Sequence, residues 1–417
     1  MKLFQQLLVA GTTASLIAPI GAIASDYNIE GMNSYSRSKS SSKKQKFSSK
    51  LFSNELATIE NNTDSSELNQ FEAGSFSETT TMDGKVIFTL GSVDTEDDTY
   101  IGTVQTAYTY QMNLNTSFDG DDNLYVRIKS GNHDGFSDIK TKHNTYLKAG
   151  AGFGDTIDVD KIWYTKPIGD NSTLFIGPRI ENYYMHGTTP SIYKGVLKAF
   201  ALGGNGAAYG ASTSPGAGFK YAFDNGIALS TNFTSQGGNG ANGMLTDQSK
   251  TSWATQIGYT QPQYSASFIV NIKSNEWEDE YFASDLGFDR SFNDQGSTNY
   301  GLRAWWRPEE SGTIIPEISL GVDFSETDQD TTDETDAYFV GLNWLDTITP
   351  DDRIGIAFGQ PQKHESDPVD PFLYEVYYDY KVNDSLTITP AFFGGTYNNG
   401  GNEEDMTGYV LNTTFKF

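Results

Sequence analysis

The chain has 417 residues, of which 37% are hydrophobic, and it carries a formal net charge of −26 and no cysteine. The charge argues against nucleic acid as a partner because phosphate would be repelled, and the lack of cysteine excludes disulfides and thiolate chemistry. After the N-terminus no uninterrupted apolar stretch reaches the ~20 residues that a spanning helix needs, which excludes a helical membrane protein. A transmembrane barrel is still allowed, because only every second residue of its strands meets lipid.

The first 24 residues have the pattern of a secretory signal peptide. Lys2 supplies a positive start, residues 7–23 form an apolar run that Gly and Thr interrupt, and residues 22–24 read Ala-Ile-Ala, a cleavage site. The run is too short and too interrupted for a stop-transfer helix. We therefore expect the mature protein to leave the cytoplasm.

Residues 25–82 differ in character and are expected to form a short N-terminal periplasmic extension. The serine-rich, basic segment 37–50 is predicted to be disordered. A solvated linker is one interpretation of it, and contact with anionic cell-wall or lipid groups is the other. Apolar residues at helical spacing between 47 and 59 predict one short amphipathic helix.

From residue 83 to residue 417 apolar side chains recur at every second position, the period of a strand. Residues 108–118 show this most clearly, and residues 253–259, 264–272, 318–324 and 374–380 repeat it. A half-buried sheet of a soluble protein also alternates. Here the polar face is charged in many consecutive strands and no segment resembles a covering helix, which favours a membrane barrel over residues 83–417.

The connections between these segments predict the number of strands. Seven are short and polar, at residues 119–123, 169–172, 224–226, 261–263, 308–312, 347–352 and 383–385. Eight longer, Gly-, Asp- and Asn-rich loops lie near 94–104, 131–158, 179–216, 235–250, 273–298, 326–336, 360–371 and 395–406. We therefore predict an all-β fold, a transmembrane antiparallel β-barrel of about 16 strands with short periplasmic turns and long external loops. Sixteen strands leave an aqueous lumen.

The last strand, residues 407–417, has one apolar and one polar face. Tyr409, Leu411, Phe415 and Phe417 share the apolar face. This ending resembles the closing strand of bacterial outer-membrane barrels, in which the terminal aromatic residue helps to mark the chain for insertion. We expect these four residues to act as an assembly signal for the barrel assembly machinery, although the last strand of a soluble β-protein could look the same.

Five segments in the barrel region together resemble one known family. They are residues 159–171, 173–179, 303–312, 353–361 and 374–390. In this order they resemble the carbohydrate-selective (OprB-type) porins, and among them the cyanobacterial outer-membrane porins. Cyanobacterial members usually carry an S-layer-homology domain that grips the cell wall, and residues 25–82 are too short for it.

The resemblance implies a passive diffusion channel for small hydrophilic solutes, carbohydrates and inorganic ions, in a bacterial outer membrane. It implies outer-membrane lipid as the surroundings and a homotrimer as the assembly. A tether between outer membrane and cell wall, acting through segment 37–50, is one alternative function, and an outer-membrane enzyme is the other. The four histidines, His133, His143, His186 and His364, all lie in predicted loops without a catalytic motif, so we predict no enzyme, metal or cofactor.

The alternation of faces also predicts which charges line the pore. The apolar parity of each strand must face lipid, since charge is costly there, and the other parity faces the lumen. The predicted pore-lining residues are Arg127, Lys129, Lys161, Lys220, Arg303, Arg307, Glu317, Asp323, Arg353, Glu375 and Asp379. Lys85, Lys381 and Lys416 are predicted to point inward near the periplasmic rim. The excess of basic residues predicts a modest anion preference, unless pairing with inward acids cancels the field.

The longest predicted loop, residues 179–216, is the candidate for a constriction. A long external loop on a wide barrel can fold inward and narrow the lumen, and loops of this length are often functional. The candidate constriction residues are Arg179, Glu181, Tyr183, Tyr184, His186, Lys194 and Lys198. The alternative is a loop that stands out into solvent.

Overall fold

The computed structural model describes residues 79–136, 146–201, 208–210, 213–275, 277, 296–327 and 334–417. The predicted signal peptide, segment 37–50, the predicted helix at 47–59 and His143 lie outside the described residues. Within the described ranges, no helix combines the length and the apolar character needed to cross a membrane.

The described residues form one antiparallel sheet of sixteen long strands, and a two-residue strand pairs with the end of β3. The strands are β1 (Thr80–Thr95), β2 (Gln105–Thr116), β3 (Asn123–His133), β4 (Ala151–Gly152), β5 (Asp158–Ile168), β6 (Ser172–Glu181), β7 (Thr213–Ala222), β8 (Ile227–Gln236), β9 (Lys250–Gln261), β10 (Tyr264–Ser274), β11 (Gly296–Trp306), β12 (Glu317–Thr327), β13 (Glu334–Leu345), β14 (Arg353–His364), β15 (Phe372–Asn383), β16 (Leu386–Asn399) and β17 (Asn402–Lys416).

The barrel closes between its first and last strands. β1 pairs with β17, with Lys85 opposite Lys416. The Gly84 amide donates to the Phe417 carbonyl at 2.9 Å, and the Phe417 amide donates to the Gly84 carbonyl at 3.1 Å. Closure gives each long strand two neighbours, so no edge is left to aggregate. The predicted antiparallel barrel of about 16 strands is confirmed.

The connections agree with prediction at all seven short turns, and one predicted long loop is wrong. β16 continues to Asn399 and β17 begins at Asn402, so most of the predicted loop 395–406 is strand. Only Gly400 and Gly401 separate the two strands, with φ angles of 61° and 95°. Positive φ at both central residues is what a tight two-residue hairpin requires, and the Gly- and Asn-rich composition concealed the strand ends.

Side chains alternate between an outer and an inner face as predicted. On β9 and β11, Ile257 and Leu302 are 50% and 52% exposed on the outer face, while their neighbours Gln256 and Arg303 are 1% and 2% exposed on the inner face. The outer face thus offers apolar side chains to lipid, and the inner face collects the polar ones.

A β-bulge interrupts this alternation between β3 and β5. Arg127 lies opposite Lys161, but the next pair is Ile128 with Val159, so Asp160 is an extra residue on β5. A bulge of this kind locally breaks the period of two. As a result Asp160 and Lys161 both lie beside Arg127.

Candidate functional site

Residues 182–201, termed the crossing segment, follow β6 and lie against the inner face of the barrel. The segment contains two short 3-10 helices, Asn182–Met185 and Lys198–Phe200. The Gly187 amide donates to Ser230 Oγ of β8 at 2.9 Å. The Thr188 amide donates to Gln256 Oε1 of β9 at 2.9 Å, and Gln256 Nε2 donates to the Thr188 carbonyl at 3.1 Å.

Further along, the crossing segment reaches strands on the far wall. Trp305 Nε1 of β11 donates to the Thr189 carbonyl at 3.2 Å, and the Ile192 amide donates to Ser319 Oγ of β12 at 3.2 Å. The Leu197 amide then donates to Glu375 Oε2 of β15 at 2.7 Å. The segment is therefore bonded to inward side chains from β8 to β15 and narrows the lumen between them.

The second half of the segment packs into an apolar cluster inside the barrel. It joins Tyr193, Val196, Leu197, Ala199 and Phe200 to Val93, Phe136, Leu147, Phe339, Ala357, Leu373, Tyr377, Ala391, Phe393, Tyr397, Met406 and Val410. Backbone hydrogen bonds tie it to the β3–β5 connection, from the Lys148 amide to the Val196 carbonyl and from the Lys198 amide to the Tyr146 carbonyl, each 2.8 Å. This part of the lumen is filled by protein.

In the first half, Tyr183 and Tyr184 of the crossing segment form an aromatic cluster with Tyr125 of β3 and Trp163 of β5. The ring centroids lie 4.3 Å apart for Tyr125 and Trp163, 4.9 Å for Trp163 and Tyr184, and 4.6 Å for Tyr183 and Tyr184. Lys161 Nζ lies 5.1 Å from the Tyr184 ring centroid, within cation–π range. The cluster fixes the start of the crossing segment against the barrel wall.

Ion pairs surround this aromatic cluster. Arg127 and Lys161 pair with Asp160 and Glu181 respectively, and Lys129 Nζ lies 3.8 Å from Asp160 Oδ2. Lys129 and Asp160 keep 19% and 17% of their side chains exposed, whereas Lys161 keeps 1%. A matched donor and acceptor thus face the remaining aqueous space.

Two other predicted pore-lining basic residues are paired. Arg303 Nη2 donates to both carboxylate oxygens of Asp323, at 3.0 and 2.8 Å, and its guanidinium lies 4.7 Å from the Tyr209 ring centroid. Arg353 Nη1 lies 3.5 Å from Asp379 Oδ2. Paired charges contribute little net field to an ion in the lumen, so the basic excess is smaller in effect than the residue count indicates.

The remaining predicted residues fall in different places. Arg179 and Glu181 belong to β6 and not to the loop, and Arg179 is exposed. Lys220 lies inward on β7 with its Nζ 5.4 Å from the Phe175 ring centroid. Lys194 and Lys198 lie on the crossing segment. The positive charge of Lys194 attracts the Glu317 carboxylate of β12, and the positive charge of Lys198 repels that of Lys129.

The described histidines do not share partners. His186 is fully buried, with Nε2 3.2 Å from the Tyr209 carbonyl oxygen and Nδ1 3.2 Å from Asn232 Nδ2. Burial away from water lowers its pKa to about 4. His133 instead accepts from the Gly135 amide, and His364 contacts Ser366.

Several residues of the site were missed from sequence. Gln256, Ser230, Ser319 and Trp305 have inward parity, which the alternation does show, but a neutral inward side chain carries no sign of what it binds. Asp160 was missed because its parity is outward, and only the bulge turns it inward.

A closed sixteen-stranded barrel with an apolar outer face, a polar inner face and a segment across its lumen has the architecture of an outer-membrane porin. The sequence profile described as "Carbohydrate-selective porin, OprB family" matches residues 48–417. The chain belongs to this family, as its sequence predicted. It is accordingly a diffusion channel of the bacterial outer membrane, and family and fold indicate a channel rather than an enzyme.

The chain is also similar in fold to solved barrel structures and similar in sequence to one relative. Pseudomonas putida OprB in its high-pH structure matches with a TM-score of 0.58 and 12% identity, over 81% of this chain and 94% of that chain. A loop-deletion mutant of OmpT from Vibrio cholerae matches with a TM-score of 0.51 and 10% identity, over 81% and 99%. An uncharacterized protein of Nostoc sp., alr4550, is 25% identical over 411 residues, covering 88% of this chain and 70% of the relative.

Proposed function

We propose that the channel passes small neutral carbohydrates beside the Lys129–Asp160 pair, where the crossing segment begins. The observation that carries this proposal is the partly exposed, matched pair on the wall that the aromatic cluster supports. A sugar hydroxyl both donates and accepts, so it can bond an ammonium group and a carboxylate at once. The family description names carbohydrates as well, which supports the same solute class.

Liposome swelling tests the proposal. Vesicles that contain the wild-type barrel should swell in isotonic monosaccharide. Lys129→Met keeps the aliphatic stem but removes the donor, and should slow sugar entry more than it changes KCl conductance. Lys166→Met is the matched control, since Lys166 pairs with Asp119 at a periplasmic turn away from the crossing segment. Equal sugar entry in wild type and Lys129→Met would contradict the role of the pair.

Lys161, Glu181, Tyr183 and Tyr184 hold the start of the crossing segment in this proposal, and Lys198 adds positive charge near Lys129. Inorganic ions would pass the same constriction in hydrated form. The inward charges not used in this account, Lys220 and Asp379 among them, contribute to the field along the rest of the lumen.

The assembly, export and wall contacts are further proposals. A homotrimer would appear as a threefold mass of the folded protein in detergent, and a monomer mass would contradict it. Cleavage after residue 24 is tested by mass spectrometry of the mature N-terminus, and wall binding through segment 37–50 by sedimentation with purified cell wall. The tether is the less favoured function because a tether needs no lumen lined by polar side chains.

A further inference from the structure

A cavity of about 370 Å³ lies at the short-turn end of the barrel, away from the Lys129–Asp160 pair. Its walls are the β9–β10 turn, the connection 307–316 between β11 and β12, and the inward ends of β12 and β13. The volume falls within the ~300–1,000 Å³ of small-molecule sites. The position places the cavity where a solute leaves the lumen.

The connection is fixed at several points. The Arg307 amide donates to the Gln263 carbonyl at 2.8 Å, and Arg307 Nε donates to the Pro262 carbonyl at 2.7 Å. The Gly312 amide donates to the Leu345 carbonyl at 2.9 Å, with Gly312 at a φ of 73° that favours glycine. These bonds hold one wall of the cavity in place and leave Arg307 at its edge.

Two polar side chains on adjacent strands form another wall. Glu317 and Asn343 lie directly opposite each other in the β12–β13 register and share the inner face. Asn343 is 1% exposed, and its Nδ2 donates to the Tyr377 hydroxyl at 2.9 Å. Its Oδ1 has no hydrogen-bond partner among the residues that the structure describes. A buried amide oxygen without a donor is costly, so a bound solute or water that supplies one is favoured there.

We infer that this cavity is a second, exit-side subsite for a neutral polyhydroxylated solute of monosaccharide size, held by Arg307, Glu317 and Asn343. The inference rests on the proposed function, because it assigns a second binding site to the same class of solute. Glu317 and the Asn343 oxygen accept hydrogen bonds, and Arg307 donates them, so the wall presents both roles within one cavity. A hydroxyl group supplies both complements.

Ions fit the cavity less well. An inorganic anion meets the carboxylates of Glu309, Glu310 and Glu317, and an anion without a hydroxyl group, such as chloride, cannot donate to the Asn343 oxygen. An inorganic cation is repelled by Arg307, and the positive charges of Arg353 and Lys194 also offset the Glu317 carboxylate. Lys194 belongs to the crossing segment, so the charge of that segment acts on a wall of this cavity.

Side-specific current block by glucose tests the inference. Single channels are inserted in a planar bilayer, and their orientation is read from an Asp97→Cys label, because the chain contains no other cysteine. Glucose added on the short-turn side should block with an affinity about tenfold lower in Arg307→Gln and in Glu317→Gln than in the label-only channel, the loss of one hydrogen bond to a charged group. Lys166→Gln removes a cation on the same side, outside the cavity, and should keep the label-only affinity.

Two readouts separate the subsite from the proposed function. Folding of each variant is checked by heat-modifiable gel mobility before recording. Block from the short-turn side that is equal in the label-only channel and both cavity variants overturns the subsite. Absence of swelling in glucose with wild-type vesicles overturns sugar passage, while block that depends on Arg307 and Glu317 would still support a binding site in the cavity.

Discussion

The Tyr193 hydroxyl donates a hydrogen bond of 2.8 Å to Glu375 Oε1, which joins the crossing segment to strand β15. The same carboxylate accepts from the Val196 amide at 3.1 and 3.2 Å and from the Leu197 amide at 2.7 Å. Glu375 points inward, as its parity predicted, but it is 0% exposed. It therefore anchors the crossing segment and does not line an open pore. Burial raises the pKa of Tyr193 well above its usual value, with Glu375 adding to the effect, so the hydroxyl keeps its proton and remains a donor.

Removal of this anchor should widen the channel. Glu375→Ala leaves three buried donors without an acceptor, which costs about 1–3 kcal/mol for each donor and favours displacement of the crossing segment from the wall. Single-channel conductance in planar bilayers should rise several-fold, with more frequent transitions between levels. Glu403→Ala, an exposed acidic residue of β17, is the control. An unchanged conductance in Glu375→Ala would show that the segment is held without this carboxylate.

The alternation of faces could be predicted from sequence, and the anchor could not. Parity placed Glu375 inward because a period of two follows from strand geometry. Its partner Tyr193 lies 182 residues earlier in the chain, and no local pattern connects the two. The strand count was accessible for a related reason, since turn residues are chosen locally for their backbone angles.

The wrong predictions arise where local backbone geometry departs from the pattern that the sequence indicates. Asp160 has outward parity by counting, but the bulge after Arg127 brings it beside that arginine. The pairing that it provides is one reason why the predicted basic excess overstates the field in the lumen, beside the pairs Arg303–Asp323 and Arg353–Asp379. Gly400 and Gly401 are the converse case, because their composition indicated a long loop where the backbone makes a hairpin turn.

The seam between first and last strands should control assembly. The Phe417 ring stacks on Tyr110 with centroids 6.2 Å apart, and its backbone bonds to Gly84. Phe417→Asp places a charge on the outer face and loses the ring contact, so less assembled barrel should appear by heat-modifiable mobility. A Cβ on Gly84 would lie 2.6 Å from both the Gln111 carbonyl oxygen and the Phe417 ring, so Gly84→Ala should lower assembly by crowding the neighbouring strand and this ring.

A charge change nearby separates this effect from a general sensitivity of the last strand. Lys416→Gln alters the neighbouring residue, whose parity is inward, and should leave assembly as in the wild type. Full yield in both Phe417→Asp and Gly84→Ala would contradict the importance of the seam.

The buried ion pair Arg303–Asp323 restricts which substitutions can be used to test the ion selectivity of the channel. Arg303→Glu would bring two buried carboxylates together, and an unpaired buried charge costs about 3–5 kcal/mol, so assembled barrel should be lost. Arg303→Met with Asp323→Leu removes both charges and should assemble. Its reversal potential in a KCl gradient should match the wild type because the pair is neutral as a whole.

Lys129, a partly exposed basic residue of the lumen, should contribute to the anion preference instead. Lys129→Gln removes a charge that is 19% exposed, and the reversal potential should shift towards cations. The shift is modest, since Asp160 lies 3.8 Å from Lys129 and salt screens over a Debye length of about 8 Å. If the reversal potential shifted in the double variant at Arg303 and Asp323 but not in Lys129→Gln, the anion preference would belong to Arg303 and not to Lys129.

The crossing segment should loosen in acid through His186. Its pKa is lowered from 6.5 to about 4 by burial between Tyr209 and Asn232, and Arg303 lies over the Tyr209 ring. As the pH falls from 6.5 to 4, the His186 imidazole of a displaced segment binds a proton, whereas that of the packed segment stays neutral. The free energy that favours the packed segment therefore decreases over this window, by at most about 3 kcal/mol. Conductance should therefore rise between pH 7 and pH 4.5 in the wild type. His186→Gln, which does not titrate, should give a flatter profile, and an equal rise in both channels would assign the pH response to other groups.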